Sequence, residues 1–198
     1  MTVDEIFILA LQNHQNNNVE AAARFYKKII KTNPSYVAAH NNLGIIEREK
    51  NGYKKALPFF EKAIKIDPHY AAAYNNIGNI YRELDDFKKA LEYYQQVYKI
   101  NSNYTNIRYN LGIVYKSLKN LKEAINFFES VDTTNSRAQL LECLYFLKDI
   151  NEYQNTLKKI AVSDPYNMKV AAIANYVSEK ENLINIYPFC KNPLNFIY

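Results

Sequence analysis

The residues of this chain best equipped for covalent or metal chemistry are His14, His40, His69, Cys143 and Cys190. The three histidines stand at unrelated places, and neither cysteine has a histidine at a spacing that suggests a nucleophile and its base. The cysteines form no metal-ligand pattern and no disulfide framework, which reads as two buried thiols in a reducing compartment. Gly44, Gly78 and Gly112 are spread along the chain and not clustered after a strand, so they do not make a phosphate loop. The acid pair Asp85-Asp86 sits in a turn signal, the usual place for capping or solvated carboxylates rather than general acids. These patterns predict a chain that is not an enzyme and that carries no metal and no cofactor.

Chemistry that does recur is non-covalent. Asn42, Asn76 and Asn110 form a ladder of amides at equal spacing. Each amide can donate to and accept from an extended peptide backbone at once, or it can make a local hydrogen bond that supports the fold. His14, Arg48, Arg82 and Lys116 form a second row, able to meet carboxylates of a partner or to serve as an ordinary salt-bridged edge, with Glu49 and Glu83 beside it. Lys54, Lys88 and Lys122 form a third row, read as a solubilising outer edge, with a nucleic-acid stripe as its alternative. A formal charge of +5 with acids interleaved does not imply nucleic acid and mildly favours acidic partners.

Positioning such rows requires a repeated element. Asn33-Pro34-Ser35-Tyr36 recurs as Asp67-Pro68-His69-Tyr70 and as Asn101-Ser102-Asn103-Tyr104, at an offset of 34 residues. The same offset relates Asn42-Leu43-Gly44, Asn76-Ile77-Gly78 and Asn110-Leu111-Gly112, and it relates Ala22, Ala56, Ala90 and Ala124. Within one period, Ala39, Leu43 and Ile46 have helical spacing. After the breaker Asn51-Gly52, so do Ala56, Phe59, Phe60, Ala63 and Ile64. The unit is helix, turn, helix. Glycine inside a helix costs about 1 kcal/mol relative to alanine, so its threefold placement argues that two helices touch there. Tyr26, Phe60, Tyr94 and Phe128 are expected to fill the gap to the following unit, and Pro58 to bend its helix slightly or delay its start. Beyond Ser130 the offset falls to 29, from Leu118-Lys119-Asn120-Leu121 to Leu147-Lys148-Asp149-Ile150, which places a shortened turn at Val131 to Asn135. Tyr153 then replaces the small alanine, and its helix pair should pack less tightly.

These residues resemble the tetratricopeptide repeat, whose pattern sets a bulky residue, Leu-Gly, Tyr, Ala, an aromatic, Ala and Pro at matching offsets. The second unit supplies Leu43, Gly44, Ala56, Phe60, Ala63 and Pro68; the third supplies Tyr74, Ile77, Gly78, Tyr81, Ala90, Tyr94 and Val97; the fourth keeps Leu111, Gly112, Tyr115, Ala124 and Phe128. The first departs from it with Ala10 and Asn13 at the glycine and tyrosine places. The resemblance implies an all-α solenoid of about five antiparallel helix pairs, a superhelix closed by a C-terminal capping helix. The expected units lie near 3–36, 37–70, 71–104, 105–135 and 136–166, with a capping helix at 167–182. Residues 183–198 read as an aromatic tail or a linker to a further domain.

In such an array the first helix of each pair lines the concave wall. The predicted peptide-binding groove is therefore Asn41, Asn42, Ile45, Arg48, Asn75, Asn76, Asn79, Arg82, Tyr109, Asn110 and Lys116, with Asn106 on the same face. The resemblance implies a protein–protein interaction scaffold that takes an extended peptide or a partner's helix. Its alternatives are the substrate-recruiting arm of a longer enzyme continuing past Tyr198, and a self-association module using the tail. Chaperone-binding members use a carboxylate clamp of lysines and an arginine. Here its places hold Phe7, Leu11, Asn42, Ala72 and Asn76, or Asn41, Ile45, Asn76, Asn106 and Asn110, which argues against a chaperone carboxy-terminal peptide. The start Met1-Thr2-Val3-Asp4-Glu5 is acidic where an export signal needs positive charge, and no apolar run approaches the roughly 20 residues that span a bilayer. A cytoplasmic location away from membranes is expected.

Overall fold

The computed structural model describes residues 1–185 and 187. Among these, all regular structure is helical. The elements are α1 (Val3–Gln15), α2 (Val19–Thr32), α3 (Val37–Asn51), α4 (Tyr53–Ile66), α5 (Ala71–Glu83), α6 (Phe87–Ile100), α7 (Ile107–Ser117), α8 (Leu121–Glu129), α9 (Thr134–Phe146), α10 (Ile150–Ser163) and α11 (Met168–Glu181). They make five antiparallel pairs and a closing helix, the α-solenoid class. The chain divides into two compact units, one of residues Met1–Tyr104 and one that begins at Thr105. Of the tail at 183–198, only Leu183, Ile184, Asn185 and Tyr187 are among the described residues, and Cys190 lies outside them.

Local chemistry sets the helix ends. At α1 the Thr2 hydroxyl accepts from the Glu5 amide at 3.2 Å while the Glu5 carboxylate accepts from the Thr2 amide at 2.9 Å, a reciprocal cap that satisfies two donors the helix cannot. Asp86, Asp149 and Asn167 cap α6, α10 and α11 in the simpler way. Gly52 joins α3 to α4 with φ 81°, a left-handed backbone that glycine adopts without strain. Exposed Pro58 lies inside α4, which nonetheless begins at Tyr53. The expected late start does not occur, because α4 starts five residues ahead of the proline, whose missing donor faces only the first turn.

The first unit packs from the glycines outward. A Cβ built on Gly44 would stand 2.8 Å from the Phe60 ring, and one on Gly78 would stand 2.7 Å from the Tyr94 ring. In the second unit Gly112 meets Phe128 at 2.6 Å. Each ring thus lies on the glycine of its own pair. This corrects the expectation that the aromatics fill the gap to the following unit, since the ring enters the space that the missing side chain leaves. Phe60, Tyr94 and Phe128 are buried, as are Ala56, Ala90 and Ala124 on the turn before them. In the first pair Ala10 stands at the glycine place, and Tyr26 packs its ring near Phe7 and His14, with centroids 6.0 and 6.1 Å away.

In the second unit, α8 has nine residues where α2, α4 and α6 have fourteen. The five missing residues account for the change of offset, so the shortening lies in the helix and not in the turn. The next helix then opens on a strong start signal. Thr133 and Ser136 cap α9 reciprocally, and Arg137 bridges Asp132 at 2.6 Å and Asp164 at 2.9 Å, tying this turn to the end of α10. Tyr153 is buried at the alanine place with its hydroxyl unpartnered, and burial raises its pKa. The α9–α10 pair is in less extensive contact than the pairs before it, as a bulky residue there predicts, and α9 packs equally on α11.

Replacing Gly78 with alanine tests the ring contact. Helix propensity favours the change by about 1 kcal/mol, but a methyl group at 2.7 Å from the Tyr94 ring forces repacking that costs about 1–3 kcal/mol. Urea unfolding should show a net loss, larger for Gly78→Leu, and the loss should shrink in a Tyr94→Leu background. An unchanged midpoint for Gly78→Leu would show that the pair is not close there.

Candidate functional site

In the first unit α3 and α5 lie side by side and carry the predicted groove residues. Their amides bond to one another. Asn76 Nδ2 donates to Asn41 Oδ1 at 2.8 Å, Asn41 Nδ2 donates to Asn42 Oδ1 at 3.3 Å, and Asn42 Nδ2 donates to the Tyr26 hydroxyl at 3.3 Å. One chain of hydrogen bonds therefore runs from α5 through α3 to α2. Asn41 is 4% exposed, a depth at which an amide needs partners. Asn79 is also engaged, accepting from the Tyr94 hydroxyl at 2.6 Å. Burial pushes the Tyr94 pKa up to about 12, so the phenol stays protonated as the donor. Asn75 differs from these, with Oδ1 buried and without a partner.

The cationic row behaves differently in the two units. Arg48 and Arg82 are half-buried, and no carboxylate of the described residues stands within salt-bridge distance of either. Glu83 lies near Tyr53 and raises the pKa of that phenol, against a smaller opposing pull from Arg48. Ile45 packs against the core cluster of Phe60 and Ile77. In the second unit Lys116 Nζ pairs with Glu142 at 2.7 Å and donates to Gln139 at 2.8 Å. Tyr109 packs its ring near Phe128 at 5.9 Å. Asn110 is half-buried on α7, and Asn106 precedes that helix as its cap with φ 61°, so it is not on the helical face. Lys116, Gln139, Glu142, Ile113, Ser117 and Phe146 border a recess of about 610 Å³. The sequence reading missed Gln139 and Glu142. Applying the offset of 29 finds them, as the counterparts of Asn110 and Ile113.

Family models described as tetratricopeptide repeat match residues 37–70 and 70–131. The chain belongs to the tetratricopeptide repeat family. Solved structures with the same fold include one titled as the MamA protein, at 20% identity and a TM-score of 0.69, covering 92% of this chain and 96% of that one. Another is titled as pilF of Pseudomonas aeruginosa, at 20% identity and a TM-score of 0.73, covering 91% and 84%. A third is YrrB, described as a TPR protein with an unusual peptide-binding site, at 24% identity and a TM-score of 0.70, covering 83% and 88%. No curated protein matches the sequence. Tetratricopeptide repeats make a protein–protein interaction scaffold, and no helix among the described residues is long and apolar enough to cross a membrane. The matched repeats contain all three glycine–ring contacts, whereas the pairs with Ala10 and Tyr153 fall outside the matched span.

The hydrogen-bonded amides imply a stability role that can be measured. Asn41→Ala leaves Asn76 Nδ2 and Asn42 Oδ1 without their partner, and such groups cost about 1–3 kcal/mol when buried. The unfolding midpoint of Asn41→Ala should fall, and an Asn41→Ala, Asn76→Ala double-mutant cycle should show coupling on the order of 1 kcal/mol. Additive losses would remove the 2.8 Å bond from the account.

Proposed function

We propose that this protein holds an extended, acidic segment of a partner polypeptide on the α3–α5 face of the first unit. The observation that carries the reading is the pair Arg48 and Arg82, half-buried, one per repeat, with no carboxylate of the described residues in salt-bridge range. A guanidinium held against protein surface loses part of its hydration and favours a carboxylate brought by a partner. The unpartnered Asn75 oxygen is buried below the surface, out of reach of a peptide N–H, so the arginines carry the reading. Asn41, Asn42, Asn76 and Asn79 already bond within the fold, so they shape the face and present only their remaining donors and acceptors. Lys116 is neutralised by Glu142, which concentrates the proposed anion recognition in the first unit. The neighbour YrrB is described as having a peptide-binding site, and a peptide ligand is carried over to this chain as part of the proposal.

Selection from a random peptide library tests it. The wild-type chain should enrich acidic sequences. Arg48→Glu and Arg82→Glu should each weaken a selected peptide by about 1 kcal/mol, roughly fivefold, more at low salt and less at high salt. Lys88→Glu, on exposed α6 surface, should leave binding unchanged. Loss of binding in Lys88→Glu with both arginine variants intact would move the site to the Lys54, Lys88 and Lys122 row.

A further inference from the structure

Three aromatic rings meet where the end of α9 packs beside α11. Tyr145 and Tyr176 stand perpendicular, at 90°, with centroids 6.1 Å apart, and Phe146 lies 6.0 Å from Tyr145. With Lys148, Ile150 and Glu181 they line a hollow of about 470 Å³. Phe146 is 56% exposed and Tyr176 49% exposed, so two large rings face water where a core would have hidden them. Glu181, one of the lining residues, places a carboxylate at the rim. The Lys180 ammonium already lies 5.9 Å from the Tyr176 centroid, and so this ring attracts a cation within the chain itself.

The faces of such rings are electron-rich, and perpendicular rings form a corner where a cation meets more than one of them. A primary ammonium needs several hydrogen-bond acceptors to replace its water, and the lining of the hollow offers one carboxylate. A metal ion is no better served, since no group of three or more metal-binding side chains occurs among the described residues. A quaternary ammonium carries no N–H, sheds its water readily and fills a corner of this size. We propose that the hollow of Tyr145, Phe146, Tyr176 and Glu181 binds a quaternary ammonium group. Lys148 and Lys180 flank it, so ligands whose ammonium is attached to an anionic group are favoured over the bare cation. This site belongs to the second unit and is independent of the α3–α5 face.

Choline and its uncharged carbon isostere 3,3-dimethylbutanol separate cation recognition from apolar contact. Titrated into the full chain and followed by calorimetry or by NMR of the ring protons, choline should bind roughly tenfold more tightly than the isostere. Tyr176→Leu, which keeps an apolar side chain but removes the ring face, should weaken choline by a similar factor with the helical circular dichroism unchanged. Lys180→Ala should tighten binding by freeing that face, and Glu181→Gln should weaken it. Phosphocholine and a peptide bearing trimethyl-lysine then identify the source, and tighter binding of either than of choline supports the site. Equal binding of choline and its isostere, no saturable binding of choline, or full retention of binding in Tyr176→Leu would overturn the proposal.

Discussion

The contact on which the helix pairs depend is an aromatic ring laid on a glycine. Gly44 with Phe60, Gly78 with Tyr94 and Gly112 with Phe128 leave no room for even a methyl group. The glycine gives up helix propensity, and the gain is burial of a whole ring, worth roughly 1.5–3 kcal/mol. The contact also fixes how close the two helices come. Fixed once per 34 residues, the distance makes successive pairs alike enough to stack. The same requirement explains where the array deviates. Ala10 replaces the glycine in the first pair, where the Tyr26 ring packs near Phe7 and His14, and with Tyr153 at the alanine place α9 is in as much contact with α11 as with α10.

Whether the ring bears a hydroxyl decides what the neighbouring amides do. Tyr26 offers an oxygen, and Asn42 donates to it. Phe60 offers none, and Asn76, one repeat later at the same place, turns to Asn41. Tyr94 donates to Asn79 instead of accepting. Two rungs of an amide ladder that is uniform in sequence, Asn42 and Asn76, therefore make different bonds in space. Buried amides cannot stay unpaired without cost, so each takes the nearest group available.

That is also why the fold was legible in the sequence and the site less so. The helix pairs follow from local spacing and a repeated small residue, and both are visible in one chain. The hydrogen bonds of Asn41 depend on a residue 35 positions away and on the absence of an oxygen at Phe60, which no single repeat reveals. The pairing of Lys116 with Glu142 joins repeats whose offset has changed by the five residues missing from α8, and the Thr133 cap that follows looks like an ordinary turn until the helix ends are known. The aromatic hollow was invisible for a related reason. Tyr145 and Phe146 are the counterparts of Lys116 and Ser117 at the offset of 29 but carry rings where the earlier repeats carry polar groups, and only the packing of α9 on α11 gathers them with Tyr176.

Recognition by such a scaffold then rests on what the fold has left over. Groups at repeating positions are under pressure to support the pairs, and the amides of α3 and α5 show how far that goes. Arg48 and Arg82 differ because no carboxylate of the described residues stands within salt-bridge distance of either. Had Glu83 reached either guanidinium, the row would have been a surface salt bridge worth little to stability and closed to a partner.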